Sequence, residues 1–99
     1  VRSLHAPEEL IKSALGIARE IAENTAPASV AMNRLLLWRM MGAVHPAEAH
    51  ALESRAIASR LDHLDSAEGI AAFAERRSPR FAPGLSGADV MSGWWPEVS

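Results

Sequence analysis

Cysteine is absent from the 99-residue sequence, and aromatic residues make up only 5% of it. Without cysteine the chain has no disulfide framework and no thiolate metal site. The same absence is typical of proteins in reducing compartments, so we expect a cytoplasmic location. Three of the few aromatic residues are tryptophan, and two of these, Trp94 and Trp95, are adjacent.

Long hydrophobic runs and an excess of either charge are also lacking. The longest apolar run ends at Arg39 directly after Trp38, far too early to span a bilayer. No charged and then apolar segment of a signal peptide follows Val1. The net charge of −2 gives no general attraction to nucleic acid or to an anionic membrane. We therefore expect a soluble protein that binds neither.

Alanine is abundant and, together with Leu, Glu and Arg, gives a composition typical of helices. Apolar residues at helical spacing and prolines at helix starts predict an all-α fold of about four helices plus an extended C-terminal tail. The helices are predicted at about 7–24, 27–41, 46–60 and 66–77. The predicted division of the chain is a strand remnant or linker at 1–6, a helical domain at 7–79, and a tail without regular structure at 80–99.

The second predicted helix is apolar around nearly its whole circumference, which indicates burial on more than one side. Trp38, Met40 and Met41 are interleaved with Arg39, a composition typical of protein interfaces. We expect one face of this helix to lie in the core and the other to contact a neighbouring subunit.

Two local patterns in the second half of the chain carry structural predictions. The order Asp65-Ser66-Ala67-Glu68 predicts a capping box, in which Asp65 caps the fourth helix and Glu68 reaches back to the cap. The pair Trp94-Trp95 lies in the tail, where it must either dock on a surface or form an exposed apolar patch.

Candidate catalytic and metal-binding residues are few. His45 and His50 do not have the i, i+4 spacing of a zinc helix, so no metal site is predicted. No strand–turn nucleophile elbow accompanies the Ser, His and Asp residues, and no catalytic residue is assigned. The basic residues Arg76, Arg77 and Arg80 are too few for a nucleic-acid surface and are interpreted as solvated charges at a helix end.

The segment from Asp65 to Phe81 contains Asp, then Glu-Gly, then Ala-Phe, Glu-Arg-Arg and Pro-Arg-Phe in that order. This string resembles the C-terminal region of the enoyl-CoA hydratase/isomerase (crotonase) family. Glu53 stands where family members usually have Glu, and the helix through 18–22 ends before Pro27 as it does in the family. Residues 1–4 resemble the end of the last core strand. The resemblance covers nearly all of this chain but only about the last third of a family member.

The resemblance implies a parent enzyme that acts on acyl-CoA thioesters, most simply by adding water to a 2-enoyl-CoA. In that family two backbone N–H groups bind the thioester oxygen, and two Glu side chains act as acid and base. None of these groups maps onto this sequence, and Glu53 and Glu68 match structural positions. We therefore expect no tightly bound cofactor and no catalytic activity from the 99 residues alone.

One ligand contact is carried over by the resemblance. In the family, an aromatic residue on the last helix and a basic residue three positions later help to hold the adenine and phosphate of CoA bound to a neighbouring subunit. Here these residues are Phe73 and Arg76, although the family usually has Lys at the second position. The structural alternative is that Phe73 lies in the core and Arg76 is a solvated charge at the helix end.

The resemblance also implies assembly into trimers or hexamers through this helical region, while the isolated chain could form a dimer or a swapped assembly. Two alternatives stay open at this point. The chain could be a non-catalytic helical interaction module, or its parent could catalyse another reaction of the family, such as isomerisation, dehalogenation, decarboxylation or hydrolysis.

Overall fold

The computed structural model describes residues 1–83 and 87–95 of the chain. These residues form helices and loops without a strand, which confirms the predicted all-α class. The helices are α1 (Pro7–Asn24), α2 (Pro27–Met40), α3 (Pro46–Leu61), α4 (Leu64–Glu75) and α5 (Gly87–Val90). None of the helices in the described ranges is both long and apolar enough to cross a bilayer.

Proline and histidine define the starts of the helices. Pro7, Pro27 and Pro46 occupy the first turns of α1, α2 and α3, where their missing N–H groups would have no intrahelical partner. Histidine side chains cap the starts of α3 and α4. His45 Nδ1 accepts a hydrogen bond from Ala47 N at 3.0 Å, and His63 Nδ1 accepts one from Asp65 N at 3.1 Å. These caps satisfy backbone donors that would otherwise be unpaired.

The predicted capping box is wrong. The N-cap of α4 is His63, so Asp65 and Glu68 lie inside the helix instead of at its cap. The carboxylates of Asp65 and Glu68 therefore do not cap the first turn of α4. They bind groups that follow the helix, as described below.

The core lies between α2, α3 and the C-terminal segment. Met32 of α2 and Met91 are each only 2% exposed, and Ala56 of α3 is buried with them. Partly buried residues pack around this cluster: Leu35, Leu36, Val90, Trp94 and Trp95. The described part of the predicted unstructured tail thus contains a short helix and core residues, which corrects the prediction for 87–95. The rest of that segment, 84–86 and 96–99, lies outside the described residues.

The two tryptophans dock on their own chain. Their ring centroids are 6.4 Å apart, and the rings are tilted by 40°. The guanidinium carbon of Arg55 lies 4.2 Å from the Trp94 ring centroid, and that of Arg39 lies 5.3 Å from the Trp95 centroid. Both distances are in the range of a cation–π interaction. The C-terminal segment is thereby fastened to α2 through Arg39 and to α3 through Arg55.

Large apolar side chains remain exposed on several helices, including α1 and α2. α1 has no buried residue, and its apolar stripe includes Leu10 and Ile21, both about half exposed. Met32 and Leu36 of α2 face inward, and the opposite side has exposed apolar side chains: Leu37 and Trp38 on the helix and Met41 at its C-cap. The inward face confirms half of the expectation for α2, and the subunit contact on the outward face stays a prediction.

Candidate ligand-contact site at the end of α4

Phe73 lies in the last turn of α4 and is 87% exposed. A phenyl ring exposed to this extent is not part of the core formed by the described residues. The alternative that Phe73 is a core residue therefore does not hold within this chain. Exposed aromatic rings present an apolar face that can stack on a nucleobase.

Arg76 terminates α4 in a left-handed conformation, with φ 53° and ψ 45°. Among the described residues it is the non-glycine residue with positive φ. Glycine usually occupies this position because a Cβ atom makes the left-handed region costly, by about 1–2 kcal/mol. Arg76 N donates to Phe73 O at 3.3 Å, and Arg77 N donates to Ala72 O at 3.0 Å. The second bond is typical of a Schellman-type helix end.

Glu68 binds the chain that follows the helix. Its two carboxylate oxygens accept hydrogen bonds from Arg77 Nη1 at 2.5 Å and Arg77 Nη2 at 3.2 Å, and Oε1 also accepts one from Arg80 N at 2.8 Å. Arg77 Nε donates to Glu75 Oε2 at 2.6 Å. The Arg77 guanidinium, and then the Arg80 N–H, lower the pKa of Glu68 to about 2, because both stabilise the ionised carboxylate. Glu68 in turn raises the pKa of Arg77.

Asp65 and Gly69 hold the same returning segment further along. The Asp65 side chain is buried, and its Oδ1 accepts a hydrogen bond from Ala82 N at 3.0 Å. A Cβ atom on Gly69 would lie 3.8 Å from the Phe81 ring, so the backbone of α4 passes close to that ring. The residues that carry the family resemblance, from Asp65 to Phe81, thus form one contiguous structure. Sequence reasoning missed these contacts, because the partners lie nine to seventeen positions apart.

An open pocket of about 480 Å³ lies between α2, α3 and α4. Its walls are largely apolar and include Met32, Leu36 and Ile57, with Glu53 and Arg60 among the polar lining residues. Arg60 Nε is buried and has no hydrogen-bond partner among the described residues. Glu53, singled out by the sequence, therefore lies at a pocket that is separate from Phe73 and Arg76, neither of which lines it.

Metal-binding side chains do not gather in the part of the chain that the structure describes. No three His, Asp or Glu side chains there come together as a possible metal site. The end of α4 offers an exposed aromatic ring at Phe73 and, three positions later, the exposed side chain of Arg76. A guanidinium can pair with phosphate or carboxylate groups.

Similar proteins agree on one family. The enoyl-CoA hydratase AFT3-1 of Alternaria alternata is 37% identical over 79 residues, which are 80% of this chain and 26% of that protein. Another enoyl-CoA hydratase of the same organism, ACTT3, is 40% identical over 68 residues, 69% of this chain and 22% of the relative. A probable enoyl-CoA hydratase/isomerase from Mycobacterium abscessus superposes with a TM-score of 0.72 at 37% identity, over 79% of this chain and 30% of the other. Over about 80% of its length the chain is similar to enoyl-CoA hydratase/isomerase proteins.

This similarity confirms the resemblance seen in the sequence. No protein-family model matches the chain. The chain spans 22–26% of the length of these two curated relatives. The crotonase-like helical fold is therefore established for this chain, while the assignment of CoA contacts to Phe73 and Arg76 stays a prediction.

Proposed function

We propose that this chain is the helical part of an enoyl-CoA hydratase-like enzyme and forms one edge of its CoA pocket. The parent enzyme would add water to a 2-enoyl-CoA thioester with catalytic groups from another part of the family fold. The observation that carries the proposal is the exposure of Phe73 directly beside the helix end at Arg76. Acyl-CoA is the substrate in this proposal, and no tightly bound cofactor is needed.

The chemistry of these two residues matches the nucleotide end of CoA. The phenyl ring of Phe73 can stack on adenine, because every nucleobase has a π face and stacking tolerates different edges. The guanidinium of Arg76 can bind a phosphate with two parallel hydrogen bonds. Arg in place of the family's usual Lys retains the charge and adds this bidentate geometry.

We expect Phe73→Ala and Arg76→Gln each to weaken binding of coenzyme A by roughly tenfold, since loss of a stacked ring or of an ion-paired phosphate costs about 1–3 kcal/mol. Two such contacts support only weak binding by the isolated chain, with a Kd of about 1 mM for a binding energy of about 4 kcal/mol. An NMR titration with coenzyme A measures this range and also maps the residues that shift.

The matched control for Arg76→Gln is Arg19→Gln, which removes one exposed positive charge from α1. It should leave the affinity for coenzyme A unchanged within about twofold, because exposed charges far from the ligand are screened by salt. The proposal is wrong if the unmodified chain shows no shifts with coenzyme A, or if Phe73→Ala and Arg76→Gln bind as the unmodified chain does.

The second part of the proposal is that the chain supplies oligomer contacts. We propose that the outward face of α2, formed by Leu37, Trp38 and Met41, packs against a neighbouring copy, as trimers or hexamers in the parent and as a dimer or swapped assembly of the isolated chain. Apolar residues on this face are at least 65% exposed, and burying them would remove apolar surface from water.

Light scattering over a range of concentrations tests this assembly. We expect the mass to rise above 10.7 kDa with concentration, and Leu37→Glu to return it to the monomer value, because an apolar interface does not tolerate an unpaired charge. Ser54→Glu, an exposed change on α3, is the control and should not alter the mass. A monomer at every concentration would contradict the proposed contact.

A further inference from the structure

We propose that Glu68 is a positioning residue for Arg76, because it holds the chain after α4 in the path that gives Arg76 its left-handed conformation. Arg76 is thereby presented at the helix end, one turn from Phe73. The inference rests on the proposed CoA contact and adds a residue that does not itself touch the ligand.

The backbone at Arg76 needs support from outside the helix end. A left-handed arginine is less stable than a left-handed glycine, so this conformation persists only where neighbouring contacts impose it. The amide of Arg76 donates to both Ala72 O and Phe73 O, and the bond to Phe73 O is long at 3.3 Å. These bonds tie the Arg76 amide to α4, while the direction of the chain beyond it depends on contacts made by the residues that follow.

Glu68 supplies that support on the C-terminal side of Arg76. Three donors converge on its carboxylate: both terminal nitrogens of Arg77 and the amide of Arg80. Arg77 follows Arg76 directly and is held at two points, since its amide donates to Ala72 O and its guanidinium binds Glu68. Charge-assisted and bidentate bonds of this kind have a fixed geometry, so they define the direction in which the chain leaves α4.

The far end of the returning segment has its own anchors. Ala82 N is bound by Asp65, and the Phe81 ring lies against Gly69. Loss of the Glu68 carboxylate should therefore loosen residues 76–80 without releasing 81–82 from α4. This arrangement makes Glu68→Gln a variant that is expected to fold and to change the helix end locally.

A positioning role and a purely electrostatic role predict opposite effects on an anionic ligand. Glu68 is ionised near neutral pH, and its negative charge disfavours phosphate by long-range repulsion. Neutralising it should tighten coenzyme A binding if charge alone mattered. If Glu68 acts by positioning Arg76, the same substitution should weaken binding.

The test is a double-mutant cycle on the full chain with Glu68→Gln, Arg76→Gln and both together, measured by NMR titration with coenzyme A. We expect Glu68→Gln to weaken binding by roughly fivefold and the double variant to bind no more weakly than Arg76→Gln, because residues that act as one unit are not additive. Amide exchange at Arg77 should become faster in Glu68→Gln, while exchange within α3 should not change.

Glu75→Gln is the matched control. It removes the carboxylate that accepts from Arg77 Nε and leaves the bond from Arg80 N to Glu68 in place. It should change the affinity for coenzyme A by less than twofold. If Glu68→Gln alters the circular dichroism, Arg77→Lys is the second variant. It keeps the positive charge but loses the two parallel hydrogen bonds of the guanidinium, and it should weaken coenzyme A binding in the same way.

Two results overturn the inference alone. The first is unchanged or tighter binding of coenzyme A by Glu68→Gln while Arg76→Gln binds weakly. The second is a loss of binding free energy in the double variant that equals the sum of the losses in the two single variants. Unchanged binding by Arg76→Gln overturns the proposed CoA contact and this inference with it. Faster exchange at Arg77 in that case would assign Glu68 to the helix end only.

Discussion

Met91→Ala is expected to lower the free energy of unfolding by about 2–5 kcal/mol, the range measured for truncating buried Met, Leu or Ile to Ala. Met91 is 2% exposed and lies in one cluster with Met32 and Ala56. Removing its side chain leaves a cavity between the C-terminal segment and α2. Urea denaturation followed by circular dichroism measures the loss.

Met41→Ala is the matched control, because Met41 has the same side chain but is 79% exposed. It is measured at a concentration at which light scattering gives the monomer mass, since Met41 belongs to the proposed oligomer contact. It should change the free energy of unfolding by no more than about 0.5 kcal/mol, as is usual for surface positions. Equal effects of the two substitutions would contradict the conclusion that residues 87–95 belong to the core.

The four long helices could be predicted because their determinants are local. Pro7, Pro27 and Pro46 mark starts, and apolar residues recur at helical spacing between them. The C-terminal segment could not be predicted in this way. Gly93 lies in a turn with φ 76°, but Gly87 opens α5, and nothing local shows that Met91 is buried and that Trp94 and Trp95 pack against the same cluster.

The capping box failed for a related reason. Asp65 and Glu68 have the spacing of a box, yet long-range donors compete for both carboxylates, and the His63 ring takes the cap instead. α4 also begins at Leu64, earlier in the chain than the predicted start at about 66. A local pattern therefore identified the correct residues and assigned them the wrong partners.

The spacing of apolar residues predicted only part of the candidate site. Ile70 and Phe73 share the face of α4 that the sequence predicts as apolar, and both are mostly exposed in this chain. Periodicity predicts which residues lie on one face but not what covers that face. The choice of Phe73 and Arg76 came from the family resemblance, and the left-handed backbone at Arg76 required the structure.

Trp94→Ala is expected to lower the free energy of unfolding by about 3 kcal/mol, near the lower end for aromatic-to-Ala changes because the ring is only partly buried. Part of the loss comes from apolar surface shared with the Met32 cluster, and part from the Arg55 guanidinium 4.2 Å from the ring centroid. Denaturation of Trp94→Ala, Arg55→Ala and the double variant separates these contributions.

Arg55→Ala alone should cost about 0.5–1 kcal/mol, the usual value of an exposed cation–π pair, and the double variant should lose no more than Trp94→Ala. Trp94→Phe keeps an aromatic face for the guanidinium and should retain most of the stability. Strict additivity of Arg55→Ala and Trp94→Ala would show that the guanidinium and the ring do not interact. The C-terminal segment would then be held by apolar packing, and the Arg55 contact would add nothing to its attachment.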